Sequence, residues 1–159
     1  MDAIRALVET LERAYRKKSW HGTGLRGSLR LLEPEARTWR PGPDRPNAWE
    51  LMVHAAYWKY IVLKALEPEA GHAFGEKGSN FFIREPGLSD TVWKGDFARL
   101  DALHGKVLLA AANLRPADLD RPAPGRKENT FTLLAGLAAH DLHHAGQVQL
   151  IRRLWEGSR

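Results

Sequence analysis

The sequence of 159 residues predicts an all-α fold, a four-helix bundle with long connecting loops. Apolar residues recur every three or four positions in four segments, which is the pattern of amphipathic helices. None of the segments alternates apolar and polar residues as a half-buried strand does. Connectors rich in Gly and Pro separate the four segments, and we expect a single domain spanning residues 1–159.

The first two predicted helices have different boundary signals. The first covers about residues 2–17 and is defined by apolar spacing alone. The second covers about residues 48–66, where Asn47 is a good N-cap and Glu50, three residues later, completes a capping box. Pro68 predicts its end, because proline cannot continue a helix. A short helical turn is expected between them, around residues 25–32.

The third predicted helix covers about residues 90–114, with Ser89 as N-cap and Pro116 just beyond its end. The fourth covers about residues 130–155. Along it, apolar residues and histidines step alternately by four and three, the spacing of an inward-facing bundle seam. The predicted seam comprises Leu133, Leu137, His140, His144, Gln147, Ile151 and Leu154.

Composition excludes several kinds of chemistry. There are 0 Cys, so the chain has no disulfide, thiolate ligand or cysteine nucleophile, and nitrogen and oxygen must hold any metal. The net charge is +5, but the densest basic groups, Arg16-Lys17-Lys18 and Arg152-Arg153, lie near predicted helix ends. Cations there offset the negative end of the helix dipole. We therefore expect no nucleic-acid partner.

The sequence also lacks the usual signals for membranes and secretion. No apolar run approaches the length of a membrane span. The N-terminal residues have no apolar core or cleavage site of a signal peptide. We expect a cytoplasmic protein that acts on a small molecule of unknown identity, and the apolar surface of a bundle allows a homodimer about a two-fold axis.

Three histidines occupy positions expected to be buried. His140 and His144 lie one turn apart on the seam of the fourth helix, so their rings share one face. His54 lies in an apolar run of the second helix, one turn before Trp58. Three neighbouring buried imidazoles would leave ring nitrogens unpaired, at about 1–3 kcal/mol each, unless a cation binds them. The pattern therefore predicts a divalent metal site.

This prediction has a plain alternative, because a single histidine on an apolar face is usually a hydrogen-bonded core residue, and HxxxH spacing often arises by chance. Three imidazoles with further coordination positions are typical of reactive zinc sites, but they also suit nickel, copper and iron. Glu50 and Asp141 are candidate acceptors for the outer ring nitrogens, although Asp141 is also compatible with a solvent-facing position. His143 is a rival ligand by its spacing but is expected to flank the site. His104 could be a fourth ligand or a hydrogen-bond partner of one, but is expected to be half-exposed.

The motifs resemble the DinB/YfiT-like superfamily. The resemblance depends on Trp49–Lys59 of the second helix and on the HxxxHxGQ run from His140 to Gln147 in the fourth. Trp20-His21-Gly22 and residues 35–41 are also similar to segments of some members. Many members carry Arg where Ala145 stands here, so a role attached to that Arg is not transferable.

The resemblance implies a four-helix bundle with a three-histidine centre, often nickel or zinc, and many members are dimers. It assigns His54, His140 and His144 as ligands, places Gln147 beside them, and implies that Gly146 permits close helix approach. Some relatives use a low-molecular-weight thiol as cosubstrate. A thiol-conjugating transferase, metal-assisted hydrolysis and a non-catalytic metal-binding or ligand-sensing module all stay open. Residues expected to shape the pocket are Trp58, Gln147 and His21.

Overall fold

Helices account for the regular structure of the chain. The computed structural model describes residues 2–159, and this part contains no strand beyond two isolated bridges. Nor does any helix in this range combine the length and apolar composition needed to cross a bilayer. The five α-helices within residues 2–159 are α1 (Ala3–Tyr15), α2 (Leu25–Arg30), α3 (Ala48–Leu66), α4 (Asp90–Ala112) and α5 (Thr130–Gly157).

Side-chain caps set the starts of the long helices, as the sequence predicted for α3 and α4. The side chain of Asn47 accepts from the backbone N–H of Glu50, and the Glu50 carboxylate accepts from that of Asn47. The Ser89 side chain accepts from the backbone N–H of Val92 at the start of α4, and the Asn129 side chain accepts from that of Thr132 at the start of α5. The predicted turn around residues 25–32 is the short helix α2. The predicted boundaries are therefore confirmed to within about two residues.

The four long helices form the predicted bundle. α3 packs against α4 and α5, and α1 packs against the same two helices, which gives the cyclic order α1–α4–α3–α5. α2 lies across α1 and α5. The first nine residues of α3, Ala48 to Ala56, are all buried. The loop after α3 covers the face of this helix that α4 and α5 leave uncovered. The first half of α3 is therefore covered on every side.

That covering loop, residues 67–89, is held in place by ionic and aromatic contacts. Its Arg84 guanidinium donates to Asp96 of α4 and to Glu76, each at 2.8 Å. Phe74 and Phe82 are buried against α3. Trp20, in the connector before α2, is by contrast 98% exposed. The loop thus has a fixed position above the middle of α3.

The buried face of α5 is rotated by about one residue from the predicted seam. Leu154 is 45% exposed and His140 is only half-buried, whereas Asp141 is fully buried. The reason is that Lys59 of α3 pairs with Asp141, which makes a charged position suitable for the core. His140 and Gln147 therefore lie at the edge of the buried face. The buried residues of α5 are Thr130, Leu134, Leu137, Ala138, Asp141, His144, Ala145, Val148, Ile151 and Trp155.

Candidate metal centre

Three imidazoles from two helices converge between α3 and α5. The Nε2 atom of His140 lies 3.0 Å from Nε2 of His54 and 3.0 Å from Nε2 of His144. The three rings each contribute one nitrogen, and these three nitrogens all lie within 4.8 Å of one another. His54 and His144 are buried, and His140 is half-buried. The convergence expected from the sequence is thus present in the fold.

The outer nitrogens of two rings have hydrogen-bond partners that fix their tautomers. Nδ1 of His54 lies 2.8 Å from the backbone carbonyl oxygen of Asn80, which can only accept. Nδ1 of His144 lies 2.6 Å from the amide oxygen of Gln147. In both rings Nδ1 therefore carries the proton, and Nε2 presents a lone pair to the centre. Nδ1 of His140 is buried and has no partner within residues 2–159.

These tautomers direct the Nε2 lone pairs of His54 and His144 at the same nitrogen of His140. The Nε2 atom of His140 faces two lone pairs, but a neutral ring has a single proton to offer, on one of its two nitrogens. Donating it would satisfy one neighbour and leave the other lone pair unpartnered. A cation bound by all three nitrogens removes this conflict. Ligand nitrogens at about 2.0–2.1 Å from a metal lie about 2.8–3.4 Å apart for angles between right and tetrahedral, a range that includes the two spacings of 3.0 Å.

Burial keeps the three rings in the neutral, metal-binding form. Loss of solvent, reinforced by the neighbouring His144 and His54 rings and by Lys59, lowers the pKa of His140 to about 3. Burial likewise lowers the pKa of His144 to about 4, against the opposing effect of its bond to Gln147. The pKa of His54 is also lowered by burial. Neutral imidazole nitrogen is the form that binds metals such as zinc.

The loop over α3 supports the centre with two residues that the sequence did not indicate. Phe81 stacks on His54, with ring centroids 4.2 Å apart and an interplanar angle of 13°. Asn80 accepts through its side chain from Nε1 of Trp58 at 3.1 Å, in addition to its backbone contact with His54. It adopts φ +68°, a region that Asn tolerates better than most residues. No sequence signal placed the turn at Asn80 and Phe81 beside His54.

The two carboxylates suggested as partners of the histidines have other roles. Glu50 accepts from Arg40 at 2.7 Å and from the backbone N–H groups of Asn47 and Arg84 at 3.1 Å each. Burial alone would raise the pKa of Glu50, but these donors lower it overall. Glu50 therefore stays ionised and anchors the start of α3 to the neighbouring loops. The sequence suggested Glu50 as an acceptor for an outer ring nitrogen. In the structure the backbone carbonyl of Asn80 has that role for His54.

Asp141 neither faces solvent nor contacts a ligand candidate. Its Oδ2 lies 2.5 Å from Nζ of Lys59, and both side chains are 0% exposed. The Lys59 ammonium also lies 4.8 Å from the centre of the Tyr15 ring of α1. The pair links α3 and α5 at the level of the three histidines, because Asp141 lies between His140 and His144 in sequence. It is part of the scaffold of the centre.

Several other predicted residues lie outside the centre. His21 is exposed, its ring centroid lies 5.6 Å from that of Trp20, and it is not part of the three-histidine cluster. His143 is exposed and flanks His144, as expected. Gly146 is exposed and a Cβ there would meet open space, so it does not mediate close helix packing within this chain.

His104 of α4 is fully buried, in contrast to the half-exposed position expected. Its ring packs on Tyr15 with centroids 4.2 Å apart, and neither ring nitrogen has a hydrogen-bond partner within residues 2–159. Burial lowers its pKa to about 2, with Lys59 and Arg16 acting in the same direction. Because the ring is neutral, its 3.6 Å approach to Glu12 is not an ion pair.

A cavity of about 310 Å³ adjoins the centre at His140. Trp58 forms part of its wall, and the Trp58 ring centroid lies 6.1 Å from that of His140. Arg126, whose guanidinium carbon lies 5.7 Å from the Trp58 ring centre, was not anticipated from the sequence. The cavity is lined by Trp58, Val62, Arg126, Glu128, Thr132, Leu133, Gly136, Leu137 and His140.

The fold and this cluster define an all-helical bundle protein with a three-histidine group that is suited to a divalent metal ion. The chain belongs to the DinB superfamily, whose family model matches residues 19–148, from the segment before α2 into α5. No curated protein and no solved structure matches the chain. The family expected from the helix motifs is therefore confirmed.

Proposed function

We propose that His54, His140 and His144 bind one divalent metal ion, with zinc or nickel as the first candidates. The observation that carries this proposal is the meeting of three Nε2 atoms, two of them held as lone-pair donors by acceptors on Nδ1. Nitrogen donors of this kind suit both metals, and the chain offers no competing thiolate.

We further propose that the protein is a metal-dependent transferase that joins a low-molecular-weight thiol to an electrophile. Three protein ligands leave coordination positions for a water or substrate atom, as in catalytic rather than structural zinc sites. When bound, the metal would supply Lewis acidity, which lowers the pKa of a thiol or water. Because the chain has no cysteine, the thiol must come from a cosubstrate.

In such a conjugation, sulfur forms a new bond to the electrophilic carbon, the leaving group departs with the bonding electrons, and the thiol proton passes to solvent. The residues of this chain would hold the reactants: Trp58 offers an apolar wall beside His140, and Gln147 keeps His144 in the tautomer required for binding. Metal-assisted hydrolysis would use the same donor set and is the second catalytic candidate.

A non-catalytic metal-binding or ligand-sensing module is the alternative. It is favoured by the engagement of Glu50 and Asp141 in ion pairs, which leaves neither carboxylate free to act as a base beside the histidines. The cation would then stabilise the contact between α3 and α5. The buried pair of Lys59 and Asp141 serves as scaffold for either function.

A thiol and electrophile screen of the metal-loaded protein separates these functions. Saturable turnover that is abolished in His144→Ala and retained in His143→Ala would support the transferase, because His143 is an exposed neighbour outside the cluster. A screen without turnover, together with a metal-dependent rise in melting temperature, would support the module.

A further inference from the structure

The cavity beside His140 has an apolar body and one cationic wall. Val62 of α3 and Leu133 and Leu137 of α5 line it together with the Trp58 indole. Its volume of about 310 Å³ is at the lower end for small-molecule pockets, which span roughly 300–1,000 Å³. The cavity therefore suits a small ligand with an aromatic or aliphatic body.

Arg126 is the cationic group of this wall. Its side chain is half-buried, and its guanidinium lies over the Trp58 ring, the same ring that approaches His140. Within residues 2–159 it forms no ion pair and no side-chain hydrogen bond, whereas Arg40, Arg84 and Arg99 all pair with carboxylates. A partly desolvated guanidinium keeps five donors available, which match the geometry of a carboxylate or phosphate.

The other polar groups at the cavity do not replace this role. Glu128 also lines it, but the residue is exposed and does not pair with Arg126. The cavity lies at the start of α5, where a helix N-terminus often binds anions. Here the amides of Thr130, Phe131 and Thr132 already donate to Arg121, Leu119 and Asn129. The guanidinium is therefore the cationic group of the cavity that is left to hold an anion.

We infer that this cavity binds a small organic anion, whose charged group lies on Arg126 and whose apolar body lies against Trp58, Leu133 and Leu137. The inference rests on the proposed function in one respect: the bound anion would be a substrate of the three-histidine centre. The expected class is a carboxylate on an aromatic or aliphatic body, and a phosphate monoester would satisfy the same guanidinium.

The test is calorimetric titration with 3-phenylpropionate and with its uncharged analogue 3-phenylpropan-1-ol, in phosphate-free buffer. We expect the acid to bind at least about tenfold more tightly than the alcohol, because a hydrogen bond between two charged groups is stronger than one to a neutral hydroxyl. Arg126→Gln should lower the affinity for the acid by a similar factor and leave that for the alcohol unchanged. Phenethyl phosphate in a parallel titration distinguishes the two anion classes.

Lys127→Gln is the matched control, since Lys127 is exposed, adjacent in sequence and absent from the cavity wall. It removes the same charge and should not alter the affinity. Equal binding of acid and alcohol, or equal affinities of Arg126→Gln and Lys127→Gln for the acid, would overturn the inference. Circular dichroism of both variants verifies that each is folded.

The titration is made with metal-loaded and with chelator-treated protein, because a carboxylate can also coordinate a metal directly. The effect of Arg126→Gln must appear in the chelator-treated protein, where coordination is excluded. A protein that holds no metal or shows no turnover, yet binds the acid through Arg126, would refute the proposed function and leave the anion site standing. A metal-loaded, active protein without this Arg126 dependence would refute the anion site and leave the proposed function standing.

Discussion

Removing one partner of the Lys59–Asp141 pair is expected to destabilise the protein by about 3–5 kcal/mol, because a buried charge is left without its counter-ion. Both side chains are 0% exposed and their charged atoms are 2.5 Å apart. Burial lowers the pKa of Lys59 and raises that of Asp141, whereas each partner's charge acts in the opposite direction. Truncating either side chain therefore removes the interaction that keeps the other ionised.

Urea unfolding of the metal-free protein measures this effect without a contribution from bound metal. Lys59→Met and Asp141→Leu should each lower the free energy of unfolding by about 3–5 kcal/mol. Combining them should restore stability to within about 1 kcal/mol of the parent or above it, since apolar residues often replace a buried ion pair at no cost. The double variant should also still bind metal, because neither side chain contacts a ring nitrogen of the cluster.

Lys94→Met provides the matched control, because the Lys94–Asp90 pair has side chains that are 76% and 54% exposed. Exposed pairs contribute about 0–1 kcal/mol, so this variant should be close to the parent in stability. A Lys59→Met variant that costs no more than Lys94→Met would refute the expected role of the buried pair. A double variant as unstable as the single ones would refute it as well.

Three further predictions concern the histidines. The pKa values of about 3 for His140 and about 4 for His144 lie below the ordinary value of about 6.5. As the pH falls below 6.5 the unfolded chain takes up protons that the folded chain does not. The metal-free protein should therefore lose up to about 1.4 kcal/mol of unfolding free energy per pH unit for each ring. Urea titrations between pH 7 and 5 measure this slope. If the double variant His140→Leu/His144→Leu showed the same slope as the parent, the two rings would not be its source. Gln147→Leu removes the acceptor of His144 and should weaken metal binding about 10–100-fold in a chelator competition, whereas Gln149→Leu, on the same helix, should leave it unchanged. His104→Leu should raise the free energy of unfolding by about 1 kcal/mol, because it removes two buried ring nitrogens without partners. A loss of stability on urea unfolding would mean that those nitrogens are satisfied.

The helices and the histidine cluster could be predicted because their signals are local. Apolar spacing and the caps at Asn47 and Ser89 fix helix positions within a few residues of themselves. A separation of four residues places His140 and His144 on one face of α5 wherever that helix packs. His54 could be added to them because it lies in an apolar run of α3, a position expected to be buried.

The partners of these residues could not be predicted, because they depend on contacts between distant segments. Asp141 pairs with a lysine 82 residues away, and this pairing rotates the buried face of α5 from the one that periodicity indicated. The Asn80 carbonyl and the Phe81 ring lie in a loop whose path over α3 is set by the ion pairs of Arg84. Hydrophobic periodicity contains no information about such polar contacts.

Elemental analysis of protein purified without a histidine tag tests the proposed metal centre most directly. We predict about one zinc or nickel ion per chain, lost in His54→Ala and retained in His143→Ala, because His143 lies outside the cluster. Removal of the ion with a chelator should lower the melting temperature of the parent and leave that of His54→Ala unchanged. A parent protein that contains no metal and binds none when zinc or nickel is added would contradict the assignment of these three histidines as ligands.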